Sequence, residues 1–419
     1  MISPHGRGSV AFEDVSEDAV NLGFREGREE DLDRLVALHT GAYPDTRGHD
    51  ARRRNFTHNP LGELSRLIVA QDAGSIVGHA FLFPLESWFG GQLVKTGAIA
   101  SLAVAPEMRG RGVARGLLAE LEGRAHAEGN AVTMLYPFRE GFYAKVGYAT
   151  VSSYRRLSLH PGAIPRAWSP PSGAVRGATG TDSEALFALH MSHGCRGTGA
   201  IKRPIRLWQR HLQNERRQWL VLDVGGQVAG YVTWTLDQAE PHSATTLHVE
   251  ELVGRTDADR RALFGALGNQ RDQVARVEID LAADDPIDRA FVDVDRHRYG
   301  TARLEHERGR IATGPMVRLL DPRLALEARG YWLDGGLDVS LSDGPRLHLE
   351  VREGQAVTGD PRGGPTIHLS RASLSAVAFG ALLPSSAARL GWLTADDPST
   401  LQRADSLFSL PAFFSADTF

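Results

Sequence analysis

Apolar residues recur at helical spacing in some stretches and alternate with polar ones in others, and the two patterns succeed each other in a repeated order. A short strand is predicted at residues 22–25, and Leu32, Leu35, Val36 and Leu38 predict a helix over 29–39. Two β-rich runs, 67–71 and 75–82, flank Asp72-Ala73-Gly74, a hairpin turn signal. A long strand follows at 92–104, then a helix at 113–127 closed by Gly129. A strand at 131–136 stops at Pro137, and a short segment at 140–148 follows. After a proline-bearing linker at 161–171 the order recurs. Helices at 182–192 and 205–213 precede a hairpin of 219–223 and 227–234, then a strand at 245–252, a helix at 257–267 and a strand at 277–281. Beyond Pro322 the period becomes two. Residues 337–341, 347–351 and 355–357 read as an antiparallel sheet. Residues 369–382 and 398–407 read as helices, with Leu374, Val377 and Ala378 on one side.

A chain of 419 residues exceeds one core, so two or three domains are expected. Its 42% hydrophobic and 23% charged residues fit a soluble globular protein. A net charge of −4 implies no general affinity for nucleic acid. Cys195 is the lone cysteine, so no disulfide forms within the chain, which fits a cytoplasmic location. Residues 1–21 are Gly- and acid-rich and read as a flexible tail without a signal peptide's apolar core. No apolar run approaches a membrane span, so no membrane partner is expected. His79, His126 and His190 fall singly and are expected to be packed or on the surface. No Cys/His cluster has metal spacing, so no metal is expected.

The chemistry concentrates where the strand at 92–104 gives way to the helix at 113–127. An apolar run stops at Pro106, and Arg109, Gly110, Arg111, Gly112 and Arg115 follow. Backbone N–H groups of a first helical turn are unpaired and carry the positive end of the dipole. Glycines let a ligand approach them, and arginines add donors for phosphate oxygens. Taken alone, this is either an anion site or an ordinary basic helix start. The spacing Arg109-x-x-Gly112-x-Ala114 resembles the pyrophosphate loop of the GNAT superfamily of N-acetyltransferases. Phe142-Tyr143-x-x-x-Gly147-Tyr148 resembles that superfamily's closing signature, in the same order. The equivalent loop of the second half, residues 252–259, lacks the spacing and carries Asp257 and Asp259. It reads as a degenerate GNAT domain that binds no CoA, with an unrelated α/β domain as the alternative.

The fold class expected is α/β and α+β. Tandem GNAT domains, each a mixed sheet flanked by helices, precede a sterol carrier protein-like α+β domain. The boundaries expected are 22–160, 161–315 and 316–419. This arrangement resembles the enhanced intracellular survival family of acetyltransferases. The resemblance implies acetyl-CoA as co-substrate, with Leu102, Ala103 and Val104 against the pantetheine arm. It implies a diphosphate held by Arg109, Gly110, Arg111, Gly112, Val113, Ala114 and Arg115. It implies Tyr143 as general acid, with Tyr148 as the alternative, and the α-carboxylate of Phe419 as general base. It also implies a small polycationic amine such as an aminoglycoside as acceptor, and a homohexamer. Residues 42–62 are expected to wall the acceptor site, with Asp417 and Asp45 adding negative potential. No cysteine or serine nucleophile accompanies the motif, so direct transfer is expected. Two other readings stay open: a lipid carrier with vestigial GNAT domains, and acetylation of protein lysines or another amine.

Overall fold

The computed structural model describes residues 21–44, 48–238, 244–292, 294 and 307–419. The expected tail lies outside them except for Asn21, and so does Asp45. The first half runs β1 (Gly23–Glu26), α1 (Leu32–Ala42), α2 (His49–Thr57), β2 (Leu67–Asp72), β3 (Ser75–Phe89), β4 (Gln92–Val104), α3 (Val113–Ala127), β5 (Val132–Leu135), α4 (Glu140–Ala144) and β6 (Ala149–Thr150). The second continues β7 (Ser153–Leu159), β8 (Val175–Gly177), α5 (Ser183–Gly194), α6 (Ile205–Leu212), β9 (Gln218–Val224), β10 (Gln227–Gln238), β11 (Thr245–Gly254), α7 (Asp257–Gly268), β12 (Arg276–Ala282) and β13 (Gly309–Thr313). The third comprises β14 (Met316–Leu319), α8 (Pro322–Ala328), β15 (Gly335–Leu341), β16 (Arg346–Arg352), β17 (Gln355–Gly359), β18 (Thr366–Leu369), α9 (Arg371–Ala378), α10 (Pro384–Arg389), β19 (Leu393–Ala395) and α11 (Pro398–Phe408).

The two halves start with the same device. Arg25 on β1 grips the Asp31 carboxylate at 2.7 and 2.8 Å, and Asp31 accepts the Arg28 N–H at the entrance to α1. Arg176 on β8 grips Asp182 at 2.9 Å twice, and Asp182 accepts the Thr179 N–H at the entrance to α5. Each carboxylate satisfies a helix-entrance donor and is itself neutralised.

The domain boundaries differ from those expected. The first sheet has the order β1-β2-β3-β4-β5-β14-β6, and the second β13-β7-β12-β11-β10-β9-β8. Strand β7, expected in the first domain, pairs with β12 of the second. Strand β14, expected in the third, lies between β5 and β6 of the first. The two-residue links β6–β7 and β13–β14 do not turn back as hairpins, and each chain segment runs on into the other sheet. There the crossing segments bond each other, Val151 N–H to Pro315 and Gly314 N–H to Ser152, both at 3.3 Å.

The third sheet, β17-β16-β15-β18-β19, is antiparallel except for the parallel pair β15 and β18. Leu369 ends β18 rather than starting a helix, because Ser370 caps α9 by accepting the Ser373 N–H. This sheet does not hang free. Phe89, Val94, Val317 and Leu319 of the first domain share one core with Leu337, Leu349, Phe379 and Phe413. Each fully buried side chain of this size contributes about 1.5–3 kcal/mol. After Phe413 the closing segment runs along the second domain, where the Phe414 N–H bonds the Thr198 carbonyl at 2.8 Å.

Candidate active site

Strands β4 and β5 pair in parallel only from Thr96 to Ile99, against Val132 to Leu135. Beyond Ile99 they part. A bulge at Ser101, with φ of 53°, turns the end of β4 away from β5. Gly112 then starts α3 with φ of 83° and no side-chain cap. A Cβ at Gly110 or Gly112 would meet nothing within 4 Å, so open space faces the loop. The first N–H groups of a 15-residue helix thus point at a vacancy, the arrangement that suits an anion.

A cavity of about 510 Å³ occupies this place. Nine of the ten residues expected around the cofactor line it: Leu102, Ala103, Val104, Arg109, Gly110, Gly112, Val113, Ala114 and Arg115. Arg111 does not, and its guanidinium lies 3.6 Å from the Met108 sulfur instead. Tyr43, not singled out from the sequence, donates to the Leu102 carbonyl at 2.9 Å and lines this cavity from the other side.

A second, larger cleft of about 1130 Å³ adjoins it, and Tyr43, Leu102 and Phe138 belong to both. Tyr143 and Phe419 both line the cleft. Tyr143 lies in the last turn of the short helix α4, its ring against Phe138 and Phe142 at 5.5 and 5.0 Å. Burial, with Tyr43 nearby, pushes its phenol well above the ordinary range, so it stays protonated. Tyr148 is buried, shares a hydrogen bond with Thr133 at 2.9 Å and lines neither cavity. The Phe419 ring meets Tyr136 edge-on at 5.2 Å. From residues 42–62 come Tyr43, Ala51, Asn55, Asn59, Pro60 and Leu61, on the expected wall.

The opposite wall was missed. Leu207, Arg210 and His211 of α6, with Arg216 and Arg217 just after it, line the cleft from the second domain. The sequence signal available was the density of arginines between 206 and 217, without a contact to place them.

Asp417 does not supply the negative potential expected of it. It is buried, and Arg203 binds it at 2.8 and 3.0 Å while gripping Glu251 at 2.7 and 2.9 Å. His79 is enclosed and its ring is pushed down to about 3 by burial, with His39 beside it. His190 is buried between Ile201 and Glu251, and His126 is exposed.

The counterpart helix start in the second domain is capped by its own residues, beside a smaller cavity of about 310 Å³. Thr256 caps α7 and Asp259 returns the bond to the Thr256 N–H, so the helix satisfies its own first donors. Strands β11 and β12 also part, beyond Val249 and Ile279. Pro411, Ala412, Phe414 and Asp417 of the closing segment line the gap there, and the Ala412 N–H bonds Asp284 at 2.9 Å.

Family models match three successive segments of the chain. An acetyltransferase (GNAT) domain matches residues 23–151, a second matches 199–319, and a sterol carrier protein domain matches 323–414. The N-acetyltransferase Eis of Mycobacterium tuberculosis is 26% identical over 363 residues, 82% of this chain and 86% of that relative. The fold is similar to a crystal structure of a GCN5-related N-acetyltransferase from Anabaena variabilis, with a TM-score of 0.81, 19% identity and coverage of 95% of this chain and 100% of that one. It is similar as well to Eis1 from Mycobacterium abscessus, with a TM-score of 0.76, 22% identity and coverage of 95% and 100%. The parted strands, the uncapped glycine helix start and these matches together make the chain an acetyltransferase with tandem GNAT domains and a sterol carrier protein domain, homologous to the Eis N-acetyltransferases.

Proposed function

We propose that the chain transfers an acetyl group directly from acetyl-CoA to a primary amine held in the large cleft. The observation that carries this is the shared wall of Tyr43, Leu102 and Phe138 between an anion-ready cavity and a cleft holding Tyr143 and Phe419. The diphosphate lies on the loop from Arg109 to Arg115 and the start of α3. The pantetheine arm follows β4 from Val104 to Leu102. The neutral amine attacks the thioester carbon, the C–S bond breaks, and the thiolate takes a proton from the Tyr143 phenol. The α-carboxylate of Phe419 accepts the proton that the amine gives up, directly or through a water. Its ordinary pKa of about 3.3–3.7 makes it a weak base, so orienting the amine is the larger part of its role.

The restriction to aminoglycosides gains nothing from the cleft lining, which among the described residues includes arginines and no Asp or Glu side chain. The lipid-carrier reading is opposed by the third domain's interior, which Leu347, Leu349, Ile367, Phe379, Leu407 and Phe408 fill.

The test is thiol release from acetyl-CoA with a panel of primary amines, with the acetylated product identified by mass. Tyr143→Phe keeps the ring and removes the donor, so kcat should fall by about 10²–10⁴ with acetyl-CoA affinity retained. No turnover with any amine would overturn the function, and full kcat in Tyr143→Phe would overturn the role of the tyrosine.

A further inference from the structure

The side-chain charge of the acceptor cleft is the wrong sign for a polycation, and the α-carboxylate of Phe419 is the one negative group that the described lining adds. Arg210 and Arg216 line it, are exposed, and have no ion pair among the described residues. Arg217 lines it from a half-buried position. Its guanidinium reaches Glu250 at 3.3 Å and lies over the Trp219 ring at 5.9 Å, while its Nε is buried with no partner. Beside it, the Nδ1 of His211 is also buried without a partner. Burial and the neighbouring Arg217 and Arg203 push the His211 ring down to about 4, so it adds a polar atom but no charge at neutral pH. The carboxylates nearest in the fold are already used. Glu251 and Asp417 are gripped by buried Arg203, and Glu250 is engaged by Arg217.

Leu61, Phe83, Leu135 and Phe138 add apolar surface to the same lining, and Asn55, Asn59, Gln213 and Asn214 add uncharged polar groups. A ligand that fits these groups has an amine, some apolar surface and an anion. Free guanidinium groups bind a carboxylate in bidentate geometry. A positive cleft also favours the neutral form of a bound amine, the form that attacks a thioester. A polycation would meet the like charge of these arginines.

Resting on the acetyltransferase reading above, we infer that the acceptor is a primary amine that also carries a carboxylate, in the manner of an amino acid or short acidic peptide, and that Arg210, Arg216 and Arg217 bind that carboxylate.

The test compares three acceptors of one shape: 4-(aminomethyl)benzoate, 4-(aminomethyl)benzamide and 1,4-bis(aminomethyl)benzene. The ring and the attacking amine are constant, and the far group is negative, neutral or positive. The expected order of kcat/KM is carboxylate, amide, diamine, with about a tenfold gap between the first two at low salt, the size of two or three partly exposed charge pairs. The gap should shrink at 0.5 M salt, because the pairs are partly exposed. The double variant R210E/R216E should lose the preference for the carboxylate and favour the diamine. Its acetyl-CoA affinity by calorimetry should match the parent, which shows that the fold is kept. Equal kcat/KM across the series, a preference for the diamine, or an unchanged order in the double variant would overturn the charge assignment alone. Turnover of other panel amines without any of the three would overturn it too. No thiol release with any amine of the panel would overturn the acetyltransferase reading instead, so the two failures are distinct.

Discussion

The Tyr136 phenol donates to the backbone carbonyl of Asp417 at 2.5 Å, across 281 residues of chain. That bond, the Tyr136–Phe419 ring contact and the ion pair of Arg203 with Asp417 hold the closing residues at the cleft. Burial and the Asp417 charge push the Tyr136 phenol upward, so it remains a donor at any working pH.

Tyr136→Phe keeps the ring against Phe419 and removes only this bond. The stability cost should be about 0.5–1.5 kcal/mol, that of one hydrogen bond. The loss of kcat should be larger in proportion, about tenfold, because a displaced Phe419 misplaces the group that orients the amine. Tyr136 does not line the loop cavity, so KM for acetyl-CoA should not change. Steady-state kinetics with a thermal melt checks this. Wild-type kcat would show that Phe419 holds its position without the bond, or that the position does not matter.

Gly112→Asp places a carboxylate and a Cβ where the first turn of α3 faces open space. At φ of 83° an L-residue is strained by about 1–2 kcal/mol, and aspartate tolerates this conformation better than most. The fold should survive. Acetyl-CoA affinity should fall at least tenfold, because the charge opposes the diphosphate at the helix start. Calorimetry measures it directly, and an unchanged Kd would move the diphosphate elsewhere.

Titration should give one CoA per chain. In the second domain the Thr256 and Asp259 box closes the helix start, and residues 411–417 line the gap between β11 and β12. A stoichiometry of two would refute the closed second site.

Stability should fall as the medium is acidified from pH 6.5 toward 3. His79 is fully enclosed and its folded-state ring is depressed to about 3, against about 6.5 in the unfolded chain. Within that window the unfolded state binds a proton that the folded state refuses, so stability rises with pH. It is lost at up to about 1.4 kcal/mol per pH unit for one such group. His79→Leu should flatten this slope in urea melts at pH 4, 5, 6 and 7, relative to the wild type. Parallel slopes in the two proteins would show that His79 accepts a proton in the folded state.

Much of the first site was legible because it is local. Arg109, Gly112 and Ala114 sit within one turn, and a strand before them and a helix after them fix what the backbone presents. The residues expected there line one cavity because they are neighbours in sequence, and Arg111 falls outside it, its guanidinium beside Met108 on the same short turn. Tyr143 was legible through Phe142, Gly147 and Tyr148, which set its short helix. Its neighbour Tyr148 went inward because Thr133 offers a buried partner.

The sequence by itself determined the elements, the repeated order of the two halves and the loop, since each depends on residues a few positions apart. Tertiary structure decided everything that pairs distant segments. The exchange of β7 and β14 is decided by which sheet each strand joins, and apolar period cannot say that. The inward turn of Asp417 depends on Arg203, 214 residues away, whose buried guanidinium has no local signature. The sign of the acceptor cleft depends on Arg210, Arg216 and Arg217, which belong to the second domain yet face the first. A charge in sequence carries no direction, and only packing of α6 against the cleft gives it one.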